Sequence, residues 1–576
     1  MKRAVIFAHH NPHGHLAEYV LYWLKKIKPL FNEIHFVSNS SLSASDRRKI
    51  EQITGVPILH GVEGNYLTAW NEAVKNKGWT FFEAFDSVTM MNDQFFGPLG
   101  DLNRLFEKMD TSEADFWGVT NQKPKLKPVR YLNRGKQKPV NSYFITCRAS
   151  LIKSQPFRQF WKKEFALDKR IIKPETFEKR LNEALVQLGF SVEVSIDINN
   201  LQTSSVNPLL QRPSLLIDEG CLFLYRDSIS YSRDSRALLD FVNEHSDYPV
   251  EHIKSYINKT WSPNESGKVF NKNLLFTKNT GDLKKPPQML TCGIHLHIYY
   301  TDVFSNLAGD FMRCNLKPDF FITTDSKQKK AEIETIVEGF DGKMNVAEVT
   351  VFGNRGRDIY PWFFISEKLK KYDIAAHLHT KKSLYKEQQW IGKSWMNHIT
   401  KTMVLPADEI EETFRLNKDI GIIIPDVPGV LKGRVFGNHK KNSRHLHSLW
   451  KRMNLPRMLQ LPENINYMIF PYGNMYWYRP KALQPLFDLQ LKREDFPAEP
   501  IPPDGTIAHA LERLPVYISW AMGYDYRVVL NPDSLNSSFN SAEAFQVKIM
   551  NSTAWKIGKS ITKFPSLLKR KLKGKE

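Results

Sequence analysis

Two clusters, Asn354-Arg-Gly-Arg-Asp358 and His379-Thr-Lys-Lys-Ser383, carry the residue types that chemistry on an anionic substrate needs. Arg355, Arg357, Lys381 and Lys382 stand against one acid, Asp358, and cations in that excess suit a phosphate or diphosphate. Gly356 lies between the two arginines, where a loop that closely approaches a ligand needs conformational freedom. The competing reading is two solvated basic loops. What separates the readings is placement. The apolar runs 349–352 and 374–378 read as short buried strands ending in the two clusters, and 359–372 between them reads as a helix with Trp362, Ile365, Leu369 and Tyr372 on one face. Ligands of α/β sheets bind outside the carboxyl ends of the strands, which is where both clusters fall.

Other residues of the same kinds lie elsewhere. His295 and His297 alternate with apolar residues on an expected strand, so both point the same way, either as pocket ligands or as a polar strand face. His509 and Glu512 are three apart on an expected helix and share a face, with Asp504 just before it. Asn92 and Asp93 end another expected strand.

The 576 residues, 41% hydrophobic and 12% aromatic, are enough for two or three domains. The formal net charge of +20 points to anionic partners: nucleic acid, an acidic membrane face or phosphorylated small molecules. No RRM, KH, helix-turn-helix or zinc-finger signature accompanies it, which argues against nucleic acid. Cys147, Cys221, Cys292 and Cys314 are scattered, without a C-x-x-C pair, and indicate neither a disulfide framework nor a zinc site, as suits a reducing cytoplasm. The N-terminal residues read as a first strand and not as a signal peptide, and no run approaches 18 apolar residues.

Strand and helix signals alternate through the chain, the signature of a parallel α/β sheet. Strands are expected at 4–8, 34–38, 58–59 and 86–91, with helices at 16–27, 45–53 and up to 74 between them. The order recurs with strands at 294–299, 320–323 and 349–352 and helices at 303–312 and 330–337. Gly64 and Trp70 are six apart, as are Gly356 and Trp362, at the same point of each series. Ser142 to Arg148 and Asn474 to Arg479 are both aromatic strands ending in arginine, each followed by a helix, at 177–189 and 506–514. Two copies of one α/β domain are therefore expected, 1–285 and 286–545, with the boundary at the Gly- and Pro-bearing stretch 281–287 and a basic tail at 546–576. Where the second copy has Asn354 and Asp358, the first has Val62 and Tyr66.

These motifs resemble the rhamnan synthesis F (RgpF-like) family of bacterial polysaccharide glycosyltransferases. The resemblance rests on Asp86-Ser-Val-Thr-Met-Met-Asn-Asp93 with Phe96-Gly-Pro98, Asp115-Phe-Trp-Gly118, His295-Leu-His297 with Tyr300, and Asn354-Arg-Gly-Arg-Asp358. His379-Thr-Lys-Lys-Ser383, Pro497-Ala-Glu-Pro500 and Ala508-His-Ala-Leu-Glu-Arg513 complete it over nearly the whole chain. It implies two tandem Rossmann-like domains of the GT-A type. It also implies transfer of L-rhamnose from dTDP-L-rhamnose to a lipid-linked, rhamnose-containing cell-wall or O-antigen chain, at the cytoplasmic membrane face. The family's first copy carries Asn-x-Gly-x-Asp, whereas this chain has Val62-Glu-Gly-Asn-Tyr66, so the transfer chemistry is expected in the second copy.

Such a transfer must neutralise the leaving diphosphate, deprotonate the acceptor hydroxyl and hold the sugar for attack. Arg357 and Lys381 can do the first directly. A divalent metal, Mg or Mn, is the alternative, with Asp93 its one candidate ligand, although a single acid makes a poor site. Asp358, Asp504, His509 and Glu512 are the candidate bases; Asn354, Arg355, Gly356, Arg357, His379, Thr380, Lys381, Lys382, His295, His297, Asn92 and Asp93 are the candidate donor contacts. From Trp555 onward, lysines and Arg570 interleave with Ile557, Ile561, Phe564, Leu567, Leu568 and Leu572, a basic amphipathic segment suited to anionic lipid. A different nucleotide sugar, a division into one catalytic and one acceptor-holding domain, or a scaffold without catalysis are the alternatives.

Overall fold

The computed structural model describes residues 1–11, 14–61, 64–122, 139–166, 173–232, 234–276, 288–382, 389–431, 439–461, 468–502, 504–535, 547, 551–553 and 555. The tail expected at 546–576 and the boundary expected at 281–287 fall largely or wholly outside these residues. The chain forms two compact units, Met1–Trp261 with Lys268–Phe270, and Ser262–Gly267 with Asn271–Glu576. The second unit thus takes up the chain earlier than a division at 285 places it.

The first unit holds strands β1 Arg3–His9, β2 Glu33–Ser38, β3 Leu59–His60, β4 Ser87–Asn92, β5 Phe116–Thr120, β6 Phe144–Arg148 and β7 Val192–Ile196, in sheet order β3-β2-β1-β4-β6-β5-β7. Pairing is parallel except that β6 runs antiparallel to both β4 and β5. The second unit holds β8 Asn273–Leu274, β9 Cys292–His297, β10 Asp319–Thr324, β11 Val346–Val351, β12 Ile374–His379, β13 Ile420–Pro425, β14 Tyr476–Tyr478 and β15 Asp525–Val529. Its order is β11-β10-β9-β12-β14-β13-β15-β8, and β14 is again the strand antiparallel to both neighbours. Set β9 against β1 and the seven strands of the first sheet recur in order and direction, with β8 added at one edge. Each is a mixed, mostly parallel Rossmann-like sheet.

Alternation along the strands builds a core on each face. In β1, Val5 and Phe7 belong to one core, and Ala4, Ile6 and Ala8 to the other. In β9, Ile294 and Leu296 enter one core, leaving His295 and His297 on the opposite face, where Phe321, Ala375, Tyr476 and Tyr478 belong to the second. The helix Ile359–Leu369 lies on that face and buries Trp362 completely, its Nε1 donating to the Tyr478 hydroxyl at 3.0 Å.

Three expectations need correction. The run 349–352 is not a buried strand: β11 is the sheet edge, with one neighbour, and its residues are half-buried or exposed. The helix from Ile359 ends at Leu369 and not at 372, and Tyr372 instead donates from its hydroxyl to Asp319. β9 stops at His297, so Tyr299 lies in the following loop.

Candidate functional site

A cavity of about 580 Å³ opens at the carboxyl ends of β9 and β12 in the second unit. Five segments reach it: the loop after β9, the turn from Asn354 to Asp358, the exit of β12, the approach to β14 at Gly473 and Asn474, and the stretch Phe496 to Ile501 with the helix Ile507–Arg513 beyond it.

The turn gets its shape from Gly356, at φ +82°, where an added Cβ would lie 2.5 Å from Cβ of Tyr360. Arg357 follows at φ 50°, a left-handed conformation uncommon for a side-chain-bearing residue. Its guanidinium donates to Glu499, Nε to Oε1 at 2.7 Å and Nη2 to Oε2 at 3.1 Å. That hydrogen-bonded pairing raises Arg357 and lowers Glu499. Arg355 points elsewhere. Its Nε donates to the Phe496 carbonyl at 2.8 Å and its Nη2 to the Glu494 carbonyl at 3.0 Å, so it anchors the facing loop and does not line the cavity.

Asp358 accepts at Oδ2 from His377 Nε2 and from Asn474 Nδ2, both at 3.1 Å. Burial acts to raise its carboxyl, but the charge of His379 and the hydrogen bond from His377 outweigh burial and hold it well below the usual carboxylate range. His377 is itself pulled down by burial, against the hydrogen bond and charge of Asp358. Near neutral pH it therefore serves the carboxylate as an N–H donor and not as a cation.

The exit of β12 supplies the rest. His379 Nε2 donates to the Gly473 carbonyl at 2.6 Å. Thr380 Oγ1 accepts from the backbone amides of Tyr299 at 3.0 Å and Tyr300 at 2.9 Å, fixing the tyrosine loop. The Lys381 ammonium sits 3.7 Å from the centre of the Trp395 ring, and burial lowers it against the pull of Glu512 and Asp358. Lys382 pairs with Asp302. Glu512 lines the cavity and accepts the Gly473 amide at 2.8 Å. His509 also lines it, with Nδ1 engaged by the Thr506 cap and its ring lowered by burial.

The structure therefore brings Asn354, Gly356, Arg357, Asp358, His379, Thr380, Lys381, Lys382, His297, His509 and Glu512 to one cavity. It places three other candidates of the second unit apart from the lining. Arg355 is one. Asp504 Oδ1 accepts from Asn442 at 2.7 Å and Arg513 at 3.1 Å, a clasp at the helix start. His295 is fully buried beneath, bonded to His377 and Thr323.

Asn92 and Asp93 belong to the first unit. Asp93 is buried, accepts the His10 amide at 3.2 Å and lies 3.8 Å from Arg226. His10 follows β1 as Tyr299 follows β9, so Asp93 holds its loop as Thr380 holds the other. A carboxylate facing a guanidinium suits a divalent cation poorly, and among the described residues no group of His, Cys, Asp and Glu could hold a metal ion.

Sequence reasoning missed His377, Thr323, Asn474 and Glu499. His377 alternates with His379 on β12 as His295 does with His297 on β9, and that shared alternation was the available signal. No described helix is long and apolar enough to cross a membrane.

A protein family described as rhamnan synthesis protein F matches residues 34–524. Uncharacterized proteins WxcX of two strains of Xanthomonas campestris pv. campestris are 28% identical over 222 residues, which is 38% of this chain and 30% of theirs. The chain thus matches less than a third of the length of these curated relatives. Among solved structures, the glycosyltransferase GlyE of Streptococcus pneumoniae TIGR4 is 13% identical with a TM-score of 0.23, covering 68% of this chain and 90% of that one. Glucosyl-3-phosphoglycerate synthase of Mycobacterium tuberculosis, in complex with Mg2+ and uridine-diphosphate, is 13% identical with a TM-score of 0.23, covering 38% and 79%.

Proposed function

Because this chain belongs to the rhamnan synthesis protein F family, we propose that it is a glycosyltransferase moving L-rhamnose from dTDP-L-rhamnose onto a lipid-linked, rhamnose-containing polysaccharide. The observation that carries this reading is the meeting, in one cavity, of two cations and a carboxylate. Lys381 and Arg357 are there to take the charge of a leaving diphosphate, and Asp358 is held ionised beside them. Tyr299 and Tyr300 line the wall, where aromatic rings suit a base or sugar. On this reading both units are GT-A-type domains and transfer belongs to the second. At the place of Asp358 the first unit carries Tyr66, whose hydroxyl is bonded to Ser142 at 2.6 Å.

The acceptor oxygen attacks the anomeric carbon while the bond from that carbon to the diphosphate oxygen breaks. Arg357 and Lys381 stabilise the charge left on the diphosphate, and the hydroxyl proton passes to a base of the cavity. The residues around Asp93, which faces the Arg226 guanidinium, do not fit a metal. The basic segment after Trp555 is proposed to hold the protein on anionic lipid at the cytoplasmic face, next to its lipid-linked acceptor.

The test is donor turnover. Purified protein is incubated with dTDP-L-rhamnose and a rhamnose-primed lipid-like acceptor, with and without EDTA, and dTDP release is followed. Acceptor-dependent release that survives EDTA is expected. Release abolished by EDTA would move the leaving-group role to a metal. Absence of both release and dTDP-L-rhamnose binding by calorimetry would sink the assignment.

A further inference from the structure

Beneath the cavity, five polar side chains form an unbroken series. His377 Nε2 lies 3.1 Å from Asp358 Oδ2, His377 Nδ1 2.9 Å from His295 Nδ1, His295 Nε2 2.8 Å from Thr323 Oγ1, and Thr323 Oγ1 2.9 Å from His297 Nδ1. His295, His377 and Thr323 are fully buried, while Asp358 and His297 at the two ends line the cavity. Burial keeps all three rings neutral near pH 7, His297 being pulled down to about 4.

With neutral rings only one arrangement satisfies every link. An ionised carboxylate accepts, so His377 Nε2 carries hydrogen and its Nδ1 is bare. His295 Nδ1 must then donate, leaving its Nε2 to accept from the Thr323 hydroxyl. Thr323 Oγ1 in turn accepts from His297 Nδ1. The ring atom left over is His297 Nε2, a bare lone pair on a residue of the cavity wall, with no hydrogen-bond partner among the described residues.

The fold does not require this series. In the first sheet Ile6 pairs with Met90 as His295 pairs with His377, and Ala8 lies opposite Val37 as His297 lies opposite Thr323. Tyr66 follows Gly64 by two residues, as Asp358 follows Gly356. The same five places are thus filled by Ile6, Ala8, Val37, Met90 and Tyr66, all buried. Buried polar groups cost desolvation that aliphatic side chains avoid, so stability does not account for the polar set in the second unit.

We propose that His297 is the catalytic base of the second unit, and that Thr323, His295 and His377 are positioning residues linking it to Asp358 as a proton relay. This rests on the transfer reading of the cavity. The acceptor hydroxyl gives its proton to His297 Nε2 as its oxygen bonds to the anomeric carbon and the diphosphate departs with the electron pair of the broken bond. The Nδ1 proton of His297 moves to Thr323, the Thr323 proton to His295 Nε2, the His295 Nδ1 proton to His377 Nδ1, and the His377 Nε2 proton to Asp358. No imidazolium is stranded in the core, and the proton emerges on a carboxyl that lines the same cavity and can release it there.

The experiment pairs ring-nitrogen NMR on the full-length, histidine-labelled protein with steady-state transfer, for the wild type, Thr323→Val and His297→Gln. The titratable groups facing His297 are Asp358, His379, His377, Asp325 and His295. In the wild type at pH 7, hydrogen is expected on Nδ1 of His297 and His295 and on Nε2 of His377. Thr323→Val puts at that place the residue type that Val37 already fills in the companion sheet. It is expected to release the His297 tautomer, to keep the dissociation constant for dTDP within about twofold, and to lower kcat by about 100-fold at pH 7, with the deficit shrinking as pH rises. His297→Gln, which leaves Thr323 a partner but cannot take a proton, is expected to lose kcat at every pH. Hydrogen on His297 Nε2 in the wild type overturns the relay even if transfer occurs, as does a Thr323→Val enzyme with wild-type kcat and pH profile. Expected tautomers without turnover of any donor instead overturn the transfer reading, and the role of His297 with it.

Discussion

Arg357 grips Glu499 with two parallel hydrogen bonds, of 2.7 and 3.1 Å, and both residues line the cavity. On the proposed function, an incoming diphosphate must compete with Glu499 for that guanidinium. The pair is half-exposed, its side chains 52% and 32% accessible, so screening leaves it worth at most about 1 kcal/mol. Glu499→Gln should therefore tighten dTDP binding by up to about fivefold in a calorimetric titration. Weaker binding would show that Glu499 helps hold the ligand.

Lys381 is the cation most enclosed by the site, lodged against Trp395. Lys381→Met keeps most of the side chain's length and its contact with the ring while removing the charge. The dissociation constant for dTDP should rise roughly tenfold, the effect of losing a charge-assisted contact of about 1.4 kcal/mol. An unchanged constant would remove Lys381 from the proposed phosphate site.

Asp358→Asn exchanges an acceptor-only group for an amide of the same size. It removes the carboxylate that His377 and Asn474 address. Transfer should fall by about 100-fold or more in kcat, with the donor KM within about twofold and circular dichroism unchanged. Wild-type kcat would exclude Asp358 from the chemistry.

Acid should destabilise the fold before its carboxylates titrate. Burial holds His297 and His35 at about 4 in the folded chain, against 6.5 ordinarily. The unfolded chain therefore binds more protons between those values. The stability of the neutral rings is complete above pH 6.5 and is lost as pH falls from there toward 4, by roughly 3 kcal/mol for each ring. Asp358, also lowered, acts in the same direction at still lower pH. Urea midpoints should drop steadily from pH 6.5 to 4.5; a flat profile would mean that the rings are protonated in the folded chain.

The alternation of strands and helices was readable because apolar residues recur at the two periods, and the turn at Gly356 because glycine between arginines before a buried helix has few other uses. The ladder register was not readable. Thr323 looks like any strand threonine until β10 is laid beside β9, and the link between His295 and His377 exists only because their parallel strands put the two rings opposite each other. Asp93 suggested a ligand in one dimension, whereas in three it meets Arg226, a partner that local sequence does not reveal. The edge position of β11 was equally hidden, since an apolar run does not say how many neighbours it has.

Four polar places on the second sheet and one at the start of the helix Ile359–Leu369 are filled in the first unit by Ile6, Ala8, Val37, Met90 and Tyr66, which sets the two units on different footings under substitution. β1, β2 and β4 can drift among aliphatic residues at little cost wherever volume is kept. β9, β10 and β12 cannot, because each single change leaves a neighbour with an unanswered donor or acceptor. Transplanting all five at once would remove the whole series and leave Asn474, which donates to Asp358, to meet the new tyrosine hydroxyl as Ser142 meets that of Tyr66, and the product should be more heat-resistant and inert. The histidines of β9 and β12 therefore cost the fold desolvation that the first sheet avoids, and they answer a demand other than folding.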